Sequence, residues 1–316
     1  VPGEKGAHVL NTFRTKLLLS PYLLLSLTSV IWAGNFIVGR ALREDISAVE
    51  LNLWRWTLAL VILFPLSYRQ LRQHWPLLIQ HWRLLSLLGF SGIAAFHTSV
   101  YAALKTTTAV NAILFLSLSP VLIVIGSRIS GKDSITGRQL LGILVSLAGA
   151  IVLVVRGEFA TLVDLHFYRG DLWMLFAVTM WSVYSILLKQ KPAALPQLSM
   201  LTGSAICAVA MLLLIFVFTQ HGHSSVAWSG RVIFALLYVG ILASIVAFLF
   251  WNKGVAEVGP NRAGVFLHLM PVFGALLSVV FLNEGIAVYH LVGAALVFSG
   301  LTLSTRPASR KREKHL

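Results

Sequence analysis

Residues 116–154 read LSLSPVLIVIGSRISGKDSITGRQLLGILVSLAGAIVLV, and residues 267–304 read LHLMPVFGALLSVVFLNEGIAVYHLVGAALVFSGLTLS. Laid side by side, Pro120, Asp133, Gly142 and Gly149 fall on Pro271, Glu284, Gly293 and Gly300 at one constant spacing. Self-similarity at a fixed period marks a duplicated architecture. Both copies lie in apolar helices, and internal duplication is common among membrane transporters.

The environment of these helices follows from composition. Apolar residues make up 57% of the chain and charged residues 11%, against roughly 25% charged in a soluble domain. Apolar stretches near 20 residues match the length that crosses a hydrocarbon core of about 30 Å as a helix. A transmembrane β-barrel would show alternating ten-residue segments instead. The net charge of +14 sits in loops and tail, as cytoplasmic loops require, so no nucleic-acid partner is expected. Cys207 is the single cysteine and excludes an internal disulfide or a thiolate metal cluster. No metal and no cofactor is expected. The partners are the lipid bilayer and a small-molecule substrate, and the chain is expected to work as a monomer.

Ten helices are predicted, over about residues 17–39, 48–68, 84–104, 108–129, 135–155, 170–189, 197–219, 231–251, 260–282 and 286–304. Lys5, Arg14, Lys16, Arg69, Arg72, Arg83, Arg128, Lys132, Arg138, Lys189, Lys191, Lys253, Arg262, Arg306, Arg310, Lys311, Arg312 and Lys314 fall on one side. Only Arg40, Arg43, Lys105, Arg156, Arg169 and Arg231 fall on the other. This bias places both termini in the cytoplasm. The expected organisation is a polar cytoplasmic tail (1–16), a first five-helix repeat (17–155), an external connection (156–169), a second repeat (170–305) and a basic cytoplasmic tail (306–316). Five spans is an odd number, so the second copy enters the membrane from the opposite side. The fold class is therefore an all-α membrane protein of two inverted five-helix repeats.

These residues resemble the EamA-type branch of the drug/metabolite transporter superfamily. Half-repeats of that family show an early Trp, an aromatic-rich third helix, a Pro in the fourth, an acid before the fifth and spaced glycines within it. Here they stand at Trp32, Tyr101, Pro120, Asp133, Gly142 and Gly149, and again at Trp181, Trp251, Pro271, Glu284, Gly293 and Gly300. Asp133 departs from the usual glutamate. The likeness spans about residues 20–305 and is similar to YddG-like aromatic amino acid exporters. It implies a central cavity between the halves and export from the cytoplasm across a plasma membrane, the inner one in a bacterium.

Polar groups in mid-span are costly and face a cavity or another helix. His97 and Tyr101 are four residues apart on one helix face, with Lys105 following. This trio suits an aromatic or zwitterionic guest, the ammonium attracting a carboxylate; alternatively Lys105 snorkels to water. Trp32 and Asn35, and on the matched helix Trp181 and Tyr184, are cargo candidates or interhelical ties. Trp251, Asn111 and His268 complete the set. Arg55 is the one clearly intramembrane cation. It either binds a substrate carboxylate or lies near the outer interface and pairs with helix-end carbonyls. Pro120 and Pro271 each remove a helix hydrogen bond and are expected to bend their helices. Gly142, Gly149, Gly293 and Gly300 are expected to allow close helix packing.

No acid sits in mid-membrane: Glu50, Asp133, Asp171, Glu257 and Glu284 fall near span ends. Facilitated export is thus the simpler reading, with a His97 or His268 proton relay as the alternative. The chain has no HExxH, GxSxG or phosphate-loop motif, which argues against a membrane enzyme or an ATP-driven pump. A channel, or an antiporter of phosphorylated or nucleotide sugars, ranks lower; the latter would need several cavity cations.

Overall fold

A computed structural model of the chain describes residues 20–107, 109–131, 135–160, 166–224, 226–282 and 286–306. Asp133 and Glu284, the matched acids of the two copies, lie outside the described residues. Helices account for nearly all of what is described, and no strand occurs among the described residues. We label them in chain order. α1 is Pro21–Ala41, α2 is Ala48–Gln73 and α3 is Trp82–Thr106. α4 runs in two pieces, Ala109–Leu116 and Ser119–Ile129. α5 is Gly137–Val154, α6 Arg169–Gln190, α7 Gln197–Gln220 and α8 Gly230–Val258. α9 runs in three pieces, Pro260–Gly264, the 3-10 turn Val265–His268 and Leu269–Leu282, and α10 is Val288–Thr305. Nine helices among the described residues are long and apolar enough to cross a membrane; the interrupted α9 is not counted among them.

Local chemistry sets the ends. Pro21 and Pro260 open α1 and α9 at positions where the missing N–H is unused. The Ser47 hydroxyl accepts the Glu50 N–H at the start of α2. Thr136 and Gln139 cap α5 reciprocally. α7 stops where His221 and Gly222 turn left-handed. The outer faces carry Val61, Leu66, Phe218 and Phe234, all well exposed. Such surface suits hydrocarbon, and the chain is a multi-pass membrane protein.

Helix contacts come in exchangeable pairs. α1 packs on α8 as α6 packs on α3; α4 packs on α6 as α9 packs on α1; α2 packs on α8 as α7 packs on α3. Exchanging the two sequence copies (α1 for α6, α2 for α7, and so on) maps each contact onto the other. The pairs α2–α7, α4–α9 and α5–α10 map onto themselves. In α5–α10 a Cβ added to Gly142 would lie 2.6 Å from the Gly300 carbonyl, and one added to Gly149 would lie 2.7 Å from the Gly293 carbonyl. Rising numbers in α5 thus meet falling numbers in α10. The helices run antiparallel, close enough that only glycine fits.

The copies also share their irregularities. α3 widens into π turns over Gly89–Ala95, and α8 does so over Tyr238–Val246. π turns interrupt the regular ladder and often sit at functional sites. Neighbours use the carbonyls there: Asn52 Nδ2 donates to Ile93 O (2.9 Å), and Trp32 Nε1 donates to Ala243 O (3.1 Å). Pro120 and Pro271 deprive Leu116 and Leu267 of an amide partner. Each chain segment leaves the α-helix in the turn before its proline, at Ser117–Leu118 in α4 and at Val265–His268 in α9.

Candidate substrate site

Two cavities lie one beneath the other between the copies. The larger, of about 540 Å³, is reached from the end of the bundle where α1 and α5 finish and α10 begins. Ala33, Phe36, Ile37, Leu104, Ile113, Leu116, Leu153, Val154, Met270, Pro271, Gly274 and Ala275 form apolar walls. Arg40, Arg156 and His290 stand in its lining with Tyr289, and no carboxylate lines it among the described residues. Arg40 is fixed by carbonyls rather than by an acid: its Nη1 donates to Leu104 O (2.9 Å) and Thr107 O (3.0 Å).

Phe36, Leu116 and Met270 line both cavities and so form the floor between them. Beneath lies a void of about 10 Å³, bounded also by Trp32, Asn35, Phe96, His97, Trp181 and Leu267. It is at most large enough for a water molecule. Under it the aromatic rings close on one another. The ring centroid of Trp181 is 4.9 Å from that of Trp32, 4.8 Å from Phe96, 5.1 Å from Tyr184 and 5.3 Å from Trp251. Phe248 touches Trp32, Trp56, His97, Trp181 and Tyr184. Edge and tilted contacts of this kind each add about 1 kcal/mol beyond area burial. His97 Nδ1, Trp181 Nε1 and Trp251 Nε1 are buried without a hydrogen-bond partner among the described residues.

Arg55 crosses to this cluster from α2. It is fully buried, so the guanidinium does not reach out to the surface. Its partners are side chains, not helix-end carbonyls. Nε donates to Ser244 Oγ (2.8 Å), and Nη1 donates to Asn35 Oδ1 (3.1 Å) and Tyr101 Oη (2.5 Å). The Tyr101 hydroxyl in turn donates to Asn35 Oδ1 (2.9 Å). Lys105 is exposed at the end of α3 and takes no part.

The remaining candidates stand apart from the void. Asn111 Nδ2 donates to Asp171 Oδ2 (2.9 Å) and to His166 O (3.1 Å). Asp171 also accepts from the Thr107 hydroxyl and the Tyr168 N–H, locking the α3–α4 turn to the start of α6. Tyr184 donates to Asn252 Oδ1 (2.7 Å). His268 Nε2 donates to Ser117 O (2.9 Å), and its Nδ1 lies 2.7 Å from Ser146 Oγ. It thereby ties α9 to α4 and α5. Sequence reasoning does not single out Phe96, Met270, Ser146, Ser244 or Asn252. Phe96 adjoins His97 and Asn252 adjoins Trp251; Ser244 is signalled only by the π turn that contains it.

The EamA-like transporter family model matches the chain twice, over residues 19–155 and 168–306. The chain belongs to the EamA-like transporter family. This EamA-like chain is 27% identical, over 90% of its length and 96% of the relative's, to an uncharacterized transporter of Archaeoglobus fulgidus. It is also 27% identical to a probable terminal-alkyne amino-acid exporter of Streptantibioticus cattleyicolor, over 92% of this chain and 95% of that one. A solved crystal structure superposes with a TM-score of 0.69 at 23% identity, covering 89% of this EamA-like chain and 96% of the other. That likeness concerns the fold.

Proposed function

We propose that this EamA-like protein exports amino acids, aromatic ones included, by alternating access through the space between two inverted five-helix repeats of ten spans in all. One observation carries the reading. An open cavity of about 540 Å³ ends on Phe36, Leu116 and Met270, and an aromatic pocket lies closed beneath it. A volume of a few hundred Å³ with apolar walls and few polar groups suits a small organic guest, and the rings of Trp32 and Trp181 can stack on an aromatic side chain.

The double family match, the exchangeable helix contacts and the antiparallel crossing of the matched helices α5 and α10 support the inverted repeat. Arg69, Arg72, Arg83, Arg128 and Arg138 cluster at the end away from the cavity mouth, which supports a cytoplasmic assignment for that end. The cavity then opens outward in this state. A relative named as an amino-acid exporter supports the cargo class. We place Trp32, Asn35, His97 and Trp181 around the cargo, with Tyr101, Tyr184 and Trp251 behind them. The test is uptake of a panel of radiolabelled amino acids into proteoliposomes, with His97→Ala and Trp181→Ala beside the intact protein. Saturable transport of an aromatic amino acid, lowered at least tenfold by Trp181→Ala, is expected. If neither substitution alters transport of any cargo, the assignment of the pocket fails.

A further inference from the structure

Arg55 is a permanent cation with no anion beside it among the described residues. It is fully buried about 10 Å below the first residue of α2, by helix rise, and it makes no ion pair among the described residues. Among the described residues its three hydrogen-bond acceptors are the neutral oxygens of Ser244, Asn35 and Tyr101, and its Nη2 has no partner there. A buried guanidinium left without a counter-charge is strongly unfavourable, because desolvating the charge is not offset. A purely architectural tie between α1, α2 and α8 does not need that charge, and an unpaired Nη2 adds nothing to it. Asn35 stands at the boundary, since the same side chain binds Nη1 and lines the small void beside His97 and Trp181. One amide therefore separates the guanidinium from the aromatic pocket.

We infer that Arg55 is the carboxylate subsite of the cargo pocket. On this reading, which rests on the proposed transport function, an incoming carboxylate takes the place of the Asn35 amide oxygen. It accepts from Nη1 and from the idle Nη2 in the bidentate geometry that arginine favours, with the Tyr101 hydroxyl as a third donor. Ser244, held at Val239 O by the π turn of α8, keeps Nε aimed and leaves the Nη edge for the ligand. Cargo is then selected for its carboxylate, as an acid or a zwitterion. A cationic guest lacking an acid group is rejected, since it would face Arg55 at close range.

The test reads binding separately from transport. Purified protein in detergent is titrated with 3-phenylpropionate, which has a ring and a carboxylate, and with phenethylamine, which has a ring and an ammonium. The readout is tryptophan fluorescence, Trp32, Trp56 and Trp181 being close by. A further arm titrates chloride alone into protein held in a buffer free of chloride and of carboxylates. 3-Phenylpropionate is expected to bind at least tenfold more tightly than phenethylamine. Arg55→Met should abolish that preference, and Tyr101→Phe, which keeps the ring, should reduce it severalfold. Equal affinity for acid and amine overturns the inference, as does a preference that survives both substitutions. A signal from chloride alone that competes with the acid overturns it too, because Arg55 then holds a resident inorganic anion. Should Arg55→Met not fold, Tyr101→Phe and the acid-to-amine ratio of the intact protein decide the matter. Neither probe is an amino acid, so a failed amino-acid uptake panel would sink the transport reading without touching this result.

Discussion

The α5–α10 crossing yields a stability prediction whose magnitude can be worked out. In Gly142→Ala the new methyl would sit 2.6 Å from both the Gly300 carbonyl oxygen and the Ser304 amide nitrogen, where ordinary contact is 3.4–4 Å. Both obstacles are backbone, so no side-chain rotation relieves them, and the helices must part by about 1 Å, the shortfall from close contact. Parting them weakens dispersion contact along the interface. Overpacking of this kind costs about 2 kcal/mol, or about thirtyfold in a folding equilibrium. The control is Gly274→Ala, where nothing lies within 4 Å of the added methyl. Helix propensity favours alanine by about 1 kcal/mol at either site, so it cancels in the comparison. Unfolding titrations in mixed detergent and SDS, followed by far-ultraviolet circular dichroism, should place Gly142→Ala about 2 kcal/mol below Gly274→Ala. Across the same crossing, a methyl added at Gly300 would lie 2.4 Å from both the Gly142 carbonyl oxygen and the Ser146 amide nitrogen, so Gly300→Ala should cost a similar amount. Equal stability of Gly142→Ala and Gly274→Ala would refute the close crossing.

Two further outcomes follow from the site. Asp171→Ala removes the acceptor shared by Thr107, Asn111 and Tyr168 and leaves buried donors unpaired; it should cost about 3 kcal/mol, with Asp171→Asn costing less, both read in the same unfolding titration. In a Cys207→Ser background, Ala275→Cys should react with a membrane-impermeant maleimide added outside intact cells, because Ala275 lines the open cavity. Labelling only after the cells are opened would reverse the proposed orientation.

Much of the helix plan is legible in the sequence because it rests on local quantities: run length, flanking charge and the repeated proline and glycines. Expected and observed helices agree to within a few residues in α1 and α5. What escapes reading is set by contacts distant in sequence. The π turns of α3 and α8 lie in largely apolar stretches, and no residue there forbids an ordinary helix. Asn111 looks like a cargo ligand because it is polar in a span, yet its partner Asp171 is far along the chain and no spacing rule joins them. Spacing in sequence groups Lys105 with His97 and Tyr101 on one line. Eight residues at about 100° each leave it about 80° around the helix from His97, and it lies one residue short of the helix end. Trp32, Asn35, His97 and Trp181 do meet around one void. Matching the copies helps there, because polar and aromatic residues repeated at equivalent depth converge on the axis that relates the copies.

That same exchange of copies makes a prediction about the other state of the transporter. At the closed end a Cβ added to Gly264 would lie 3.1 Å from the Ile123 side chain, so α4 and α9 touch there. The matched residues are Ile113 and Gly274, at the spacing that carries Pro120 onto Pro271. Both line the open cavity, and nothing lies within 4 Å of a Cβ added to Gly274. A second contact behaves alike. Ser182 Oγ lies 3.5 Å from Ser119 O at the closed end, whereas their mates Ala33 and Met270 both line the cavity. If the halves can swap conformations, each contact made at one end is a contact to be made at the other when the cavity closes. In a Cys207→Ser background, Ile123→Cys with Gly264→Cys should therefore cross-link in the state described here, in which that end is closed. Ile113→Cys with Gly274→Cys should cross-link only after the open cavity closes. Under cycling conditions either cross-link should stop transport, and a reductant should restore it. A rigid pore makes a different prediction. The Ile113/Gly274 pair would then never cross-link, and the Ile123/Gly264 bridge would leave flux unchanged; that pair of results would rule out alternating access in this chain.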